Sequence, residues 1–300
     1  MHKLSKVIIV LSALILVSCG ERYEQKGSAD YIQEIKEWDQ KRTERLMEDD
    51  GWLNLVGLFW LEEGDNTFGS DPDNDLRFPK TAPQNIGTFN LTDSVVTVKI
   101  DDDVDVLIDS QKINEKVLVS DLDTNTTIMS YGSLRWYLIK REGEMYGIRL
   151  RDLNAQLVKE FEGIERFPVN EDWKIEANWV PLDPPKELIV PNIIGTTSEA
   201  KAYGRLDFEI ENESYSLYPT GKKSLFVIFA DQTSGVETYG AGRFLSAEGP
   251  DSNNIVILDF NKAYNPPCVF TKYATCPLPP KENQLKVRIT AGEKNYGEDH

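Results

Sequence analysis

The sequence predicts a mainly β fold: two packed β-sandwich or barrel subdomains with one N-terminal α-helix. Three observations carry this expectation. From Trp52 onward, short runs rich in Val, Ile, Thr and aromatic residues recur between Gly, Pro, Asn and Asp turns. A clear helical period appears once, near the N-terminus. Hydrophobic residues make up 40% of the 300 residues and include six Trp, enough for one large β core or two smaller ones.

The chain opens on a short basic stretch containing Lys3 and Lys6, followed by the apolar run 7–17. That run suits the core of a signal peptide and is too short for a membrane span, which needs ~20 residues. It ends in Leu16-Val17-Ser18-Cys19-Gly20, which resembles the lipobox of bacterial lipoproteins. The resemblance implies that residues 1–18 are removed and that Cys19 carries lipid. The membrane, reached through that lipid, is then the first expected partner. Gly20 rather than Asp follows the cysteine, so the outer membrane is expected over the inner one.

Residues 19–29 are polar and aperiodic and read as a tether. Residues 30–50 place Tyr31, Ile35, Trp38 and Leu46 on one side of a helix, with Ser28 as N-cap, Asp30 in the first turn and Gly51 as the stop. Two β subdomains are expected over 51–165 and 166–300. The boundary falls near 160–172, where Phe161-Glu162-Gly163 and Phe167-Pro168 interrupt the pattern. In the first subdomain, 95–100 and 104–108 bracket the acidic turn 101–103, and 136–140 and 146–150 form a hairpin. In the second, 174–180 alternates cleanly and 205–210 with 214–218 forms a hairpin at Glu211-Asn212-Glu213. Residues 225–229 and 255–258 read as buried strands, and 286–290 closes the set.

Charge and histidine usage exclude much. Loss of residues 1–18 removes Lys3 and Lys6 and moves the formal charge from −17 to −19. A nucleic-acid partner is excluded by so acidic a surface. The only histidines are His2, within the signal, and His300, the last residue. That removes Ser-His-Asp and Cys-His hydrolases, histidine-ligated zinc and histidine general bases. Asp71-Pro72-Asp73-Asn74-Asp75 starts like a calcium loop, but Leu76 and Ala82 stand where the glycine and the bidentate Glu belong. Asp121-Leu122-Asp123-Thr124-Asn125 fails in the same way at Thr126 and Gly132. No metal ligand set is assigned, and no cofactor is named by any motif.

Three segments carry a family likeness. The first is 51–61 (Gly-Trp-Leu-Asn-Leu-Val-Gly-Leu-Phe-Trp-Leu) with Gly64-Asp65-Asn66-Thr67-Phe68-Gly69. The second is Asp231-Gln232-Thr233-Ser234-Gly235 followed by Thr238-Tyr239-Gly240-Ala241-Gly242-Arg243-Phe244. The third is DFNKAYNPPCVFTKYATCPLPPKENQL at 259–285, then Ala291-Gly292-Glu293-Lys294. Together, over about 38–296, they resemble domain-of-unknown-function family 1684. The resemblance implies a mostly β protein with its most distinctive residues in the C-terminal half, and it names no reaction. Residues 62–152 are also similar to a forkhead-associated sandwich. Ser70 after Gly69 and the missing histidine imply that the phosphopeptide site of that module is absent.

The candidate site follows from the second and third segments. Gly240-Ala241-Gly242-Arg243 offers backbone N–H groups beside a guanidinium, a combination suited to an anion, with an ordinary β-turn as the alternative. Asp231, Asp259 and Glu293 supply carboxylates for acid/base work, or for pairing with Arg243, Lys262 or Arg288. Asn261 and Asn265 stand beside them in a proline-stiffened loop that either serves function or covers a sheet edge. Cys268 and Cys276 suggest a disulfide in an exported protein, with two buried thiols as the alternative. The expected function is a cell-envelope binding module for a small anionic or carbohydrate-like ligand. A carboxylate-dependent hydrolase and a structural envelope protein are the alternatives. Arg243, Asp259, Asn261 and Glu293 are expected to converge on one concave site.

Overall fold

The computed structural model describes residues 23–297, so the expected signal segment and Cys19 lie outside the described residues. The molecule is mainly β with several sheets and one long N-terminal helix. Helix α1 (Ala29–Met47) starts where expected, with the Ser28 hydroxyl accepting from the Tyr31 N–H at 3.2 Å. It buries Tyr31, Ile35 and Leu46, and Trp38 lies under the Arg166 guanidinium at 5.1 Å. Gly51 is not its stop. The cap is Glu48, whose carbonyl accepts from the Gly51 N–H, and a Cβ at Gly51 would strike the Leu46 carbonyl.

The expected tether is docked from Tyr23 onward. Tyr23 packs edge-on against Phe167 at 5.1 Å and donates to Glu237, while the Lys26 N–H donates to Val169. An aromatic ring and a backbone bridge outweigh the polarity that reads as free chain.

Eleven strands follow α1: β1 (Leu55–Trp60), β2 (Gly64–Gly69), β3 (Leu76–Arg77), β4 (Gly87–Thr92), β5 (Val95–Ile100), β6 (Leu107–Ile108), β7 (Gln111–Lys112), β8 (Glu115–Val117), β9 (Ile128–Tyr131), β10 (Leu134–Arg141) and β11 (Met145–Asp152). They form two sheets, ordered β1-β11-β10-β9-β6-β7 and β3-β2-β4-β5-β8. Between them lies a core built on Phe68, Phe89 and Trp136, the two phenyl rings stacked at 4.2 Å. The β10–β11 hairpin is as expected. Residues 95–100 and 104–108, however, do not pair. β5 pairs with β4 and β8, and the chain then crosses to the other sheet, burying Val104 and Val106 on the way. Ser70 donates its hydroxyl to the Ala82 and Pro83 carbonyls.

After the short helix α2 (Gln156–Glu160) come β12 (Lys174–Pro191), β13 (Thr197–Ile210), β14 (Glu213–Leu217), β15 (Ser224–Phe229), β16 (Arg243–Glu248) and β17 (Ile255–Asp259). The sheet β14-β13-β12-β17 and the β15-β16 pair enclose a second core around Leu206, Leu217, Val227, Phe229, Leu258 and Phe260. The β13–β14 turn uses Glu211 and Asn212 at φ 53° and 64°, the left-handed pair that a two-residue hairpin needs. One expectation fails here, and one strand comes unannounced by the sequence. Residues 286–290 form no strand, because the Ile289 and Ala291 carbonyls turn to a buried arginine instead. Residues 243–248 form a strand that their mixed polarity conceals.

A smaller cluster of Leu46, Leu53, Phe161, Val269 and Phe270 joins the end of α1 to the proline-rich loop, with Trp52, Tyr239 and Tyr296 packed against it. Among the described residues, no helix is long and apolar enough to cross a membrane.

Candidate functional site

The second family-like segment folds around Asp231. One carboxylate oxygen accepts from the Thr233 N–H at 2.6 Å and its hydroxyl at 2.5 Å, closing a tight turn. The other accepts from the Arg243 guanidinium at 2.7 Å, both side chains being fully buried. Arg243 also donates to the Ile289, Ala291 and Glu293 carbonyls, which draws segment 289–293 onto β16. Burial pulls the Arg243 guanidinium down from its ordinary value, and Asp231 opposes that pull. The anion nest expected at Gly240–Gly242 is a turn, its Gly242 N–H donating to Tyr239. Gly242 sits at φ 85°, where a Cβ would meet the Phe229 carbonyl and the Pro279 ring, so glycine is required there.

Glu293 is wholly buried. Its carboxylate accepts from the Asn265 N–H at 2.6 Å and from Arg42 on α1 at 3.2 Å, with Arg166 at 3.8 Å. Burial pushes this carboxyl up, against the two guanidinium charges. Arg42 also reaches the Asn265 carbonyl, and the Asn265 amide donates to Lys294. Asp259 and Asn261 form a neighbouring group: the Tyr31 hydroxyl donates to Asp259 at 2.7 Å, and Asn261 exchanges hydrogen bonds with the Asn170 backbone. Burial, then Asp259, raises the Tyr31 pKa, so that phenol stays a donor.

The six residues singled out from sequence are thus gathered, but inward. Arg243, Asp231, Glu293 and Asn265 share one network and Asp259 and Asn261 its neighbour, each at most 7% exposed. They do not form an open concave site. Their polar atoms are used to fasten α1, loop 259–265 and segment 289–294 onto the second core. Asp71 and Asp123 likewise cap local turns, accepting from the Asp73 and Asn125 N–H groups.

Cys268 and Cys276 form a disulfide, with Cα atoms 6.2 Å apart, which resolves the alternative left open by the sequence. It closes the loop that forms one wall of a cleft of about 840 Å³. Tyr239 and Gly240 stand on the second wall, Ile193 and Ile194 on the third, and Tyr296 and Asn295 complete the lining. Phe270 and Tyr296 pack at 5.0 Å, both in contact with Phe161 below. Lys272 is exposed at the cleft, and among the described residues no carboxylate lines it. Partial burial raises the Tyr239 and Tyr296 phenols, so both are protonated at neutral pH. The sequence reading, weighted toward charged groups, passed over these aromatic residues. The available signal was the aperiodic Val269-Phe270-Thr271-Lys272-Tyr273, apolar and cationic together inside a proline-bounded loop.

Residues 159–294 match the family model described as "Protein of unknown function (DUF1684)". The match to this family lies in the C-terminal part of the chain and covers less than half of its 300 residues. The match holds the second and third segments and leaves the first, at 51–69, outside it. A solution NMR structure of an uncharacterised protein from Haloarcula marismortui is 28% identical to this chain, with 46% of this chain and 80% of that one covered and a TM-score of 0.39. No curated protein matches the chain.

Removing one member of the buried pair leaves the other charge unmatched. Arg243→Ala is therefore expected to cost about 3–5 kcal/mol of stability, read as a lower denaturation midpoint. A midpoint unchanged from wild type would show that the pair carries no structural role.

Proposed function

We propose that the protein is a binding module of the cell envelope, holding a small ligand in the cleft between residues 268–274 and Tyr239. The observation that carries this reading is the division of labour within the two DUF1684 segments. Their carboxylates and Arg243 point into a closed network, whereas Tyr239, Phe270 and Lys272 line an open cleft with Tyr296. Its volume of about 840 Å³ is of small-molecule size. The aromatic side chains offer flat apolar area to a sugar or other ring, and the two phenols add neutral hydroxyl donors. Lys272 supplies a point charge for an anionic group. The ligand class is therefore a small ring-bearing molecule with anionic or carbohydrate-like character. A carboxylate hydrolase has less support, since such chemistry needs two carboxyl groups flanking the scissile bond at ~5–9 Å. Asp231, Asp259 and Glu293 are instead buried and engaged. A purely structural role fits the network but leaves the aromatic cleft unaccounted for.

We place this module at the envelope through lipid on Cys19, with the outer membrane favoured by Gly20. Support comes from the order of basic, apolar and small residues before that cysteine. The Cys268–Cys276 disulfide adds to it, because such bonds persist in oxidising compartments.

Native mass spectrometry of protein purified from an envelope fraction tests the binding reading. Wild type is expected to carry a small-molecule adduct that Tyr239→Ala and Lys272→Ala lose without a change in melting temperature. A bare wild-type protein, or an adduct kept by both variants, argues against it. The anchor is tested by metabolic labelling with an alkyne fatty acid. Wild type is expected to be marked and Cys19→Ser blank; equal labelling of the two removes the lipid from the account.

A further inference from the structure

The other face of the first sandwich carries an arrangement that the aromatic cleft does not use. On β10 and β11, Arg135, Tyr137, Arg149 and Arg151 alternate with the core residues Trp136, Leu138, Ile148 and Leu150, and so share the opposite face. The register sets Arg135 directly across from Arg151, and Tyr137 across from Arg149. Like charges directly opposed across a strand pair are destabilising. Arg141, farther along β10, is matched by Asp121 at 2.9 Å. Among the described residues, Arg135, Arg149 and Arg151 take part in no salt bridge. Arg135 donates only to the Gly132 and Leu134 carbonyls. Arg151 donates to Gly51, Asn54 and, at 3.3 Å, the Tyr137 hydroxyl. Arg149 is 3% exposed and lies over the Trp52 ring at 5.7 Å. It donates to the Thr275 hydroxyl at 3.2 Å, and among the described residues its Nε has no hydrogen-bond partner. Acidic residues number 50 against 33 basic ones, so three arginines without a carboxylate are not a shortage of anions in the chain.

A cleft of about 420 Å³ opens on this face, lined by Arg135, Arg151, Tyr137 and Thr126. Asp49, Asp50 and Asp121 also line it; Asp50 is engaged by Arg45 and Asp121 by Arg141, and Asp49 is exposed to solvent. We infer that this cleft is a second binding site, which takes a small oxyanion (a phosphate, sulfate or carboxylate group) between Arg135 and Arg151 beside the Tyr137 hydroxyl. Planar guanidinium forks match the paired oxygens of such groups. Arg149, behind Tyr137, adds positive charge that no carboxylate at contact distance cancels. The bound anion relieves the opposition of Arg135 and Arg151 by standing between them. The site is separate from the Tyr239 cleft and shares no lining residue with it.

Isothermal titration of the full protein with inorganic phosphate, sulfate and acetate, each against chloride at equal ionic strength, tests the inference. At least one of the three is expected to bind at a single site; acetate alone marks a carboxylate ligand, and phosphate or sulfate alone a tetrahedral one. Arg135→Gln is expected to weaken that anion about tenfold. Without anion it should melt no lower than wild type, because the cross-strand repulsion is gone. Lys272→Ala should leave anion binding unchanged. The inference is overturned if none of the three binds, if Arg135→Gln binds as wild type does, or if that variant melts lower in the absence of anion. It is also overturned if Lys272→Ala removes the binding, which would assign the anion to the aromatic cleft.

Discussion

The buried Arg243–Asp231 pair is the contact on which the C-terminal half of the molecule depends. Two opposite charges with no exposed side-chain surface are tolerated only when their remaining hydrogen-bonding capacity is filled. Here the carboxylate closes the 231–238 turn and the guanidinium collects three carbonyls from 289–293. Segment 289–293 thereby lies against β16 without sheet pairing. Its end places Glu293 where Arg42 and Asn265 reach it, so the helix and the proline-rich loop are fixed by the same chain of contacts.

That arrangement accounts for the character of the aromatic cleft. Polar groups of the family-like segments are consumed in holding backbone together, and what remains for the surface is Tyr239, Lys272 and Tyr296, with the buried Phe270 at the base of the cleft. The disulfide closes the loop that carries Phe270 and Lys272. Two walls of the cleft, at 239–240 and 268–274, are thus outer sides of segments tied to the buried network, and the third, Ile193 and Ile194, belongs to the β12–β13 turn. The first sandwich contributes through its own arginine-bearing face, where the Thr275 hydroxyl accepts from both Arg141 and Arg149 and so links the two halves beside the disulfide.

Much of the fold was legible because it rests on local chemistry. Ser28 could be read as a cap, Tyr31, Ile35 and Leu46 as a buried stripe, and Glu211-Asn212 as a tight hairpin turn. What stayed hidden depends on partners far away in the chain. Residues 286–290 carry alternating strand-like residues, yet their carbonyls answer to Arg243, more than forty positions earlier. Residues 104–108 look like the second arm of a hairpin, but Val104 and Val106 are drawn into a core between sheets. The site residues illustrate the same limit. Sequence singled out Arg243, Asp231, Glu293, Asn265, Asp259 and Asn261 as candidates, but not the direction in which they point. A charged residue reads alike whether it meets a ligand or a buried counter-charge. Tyr239 and Phe270 read as ordinary apolar residues until the loop around them is seen to be open.

Hydrogen exchange on Arg243→Lys, which keeps the charge but loses the guanidinium fork, measures the central claim most directly. Amides in 231–240 and 289–293 are expected to exchange faster together, while those of β4 and β5 in the first sandwich remain as in wild type. Unchanged protection in 289–293 would contradict the account, since it would mean that this segment is held by something other than Arg243.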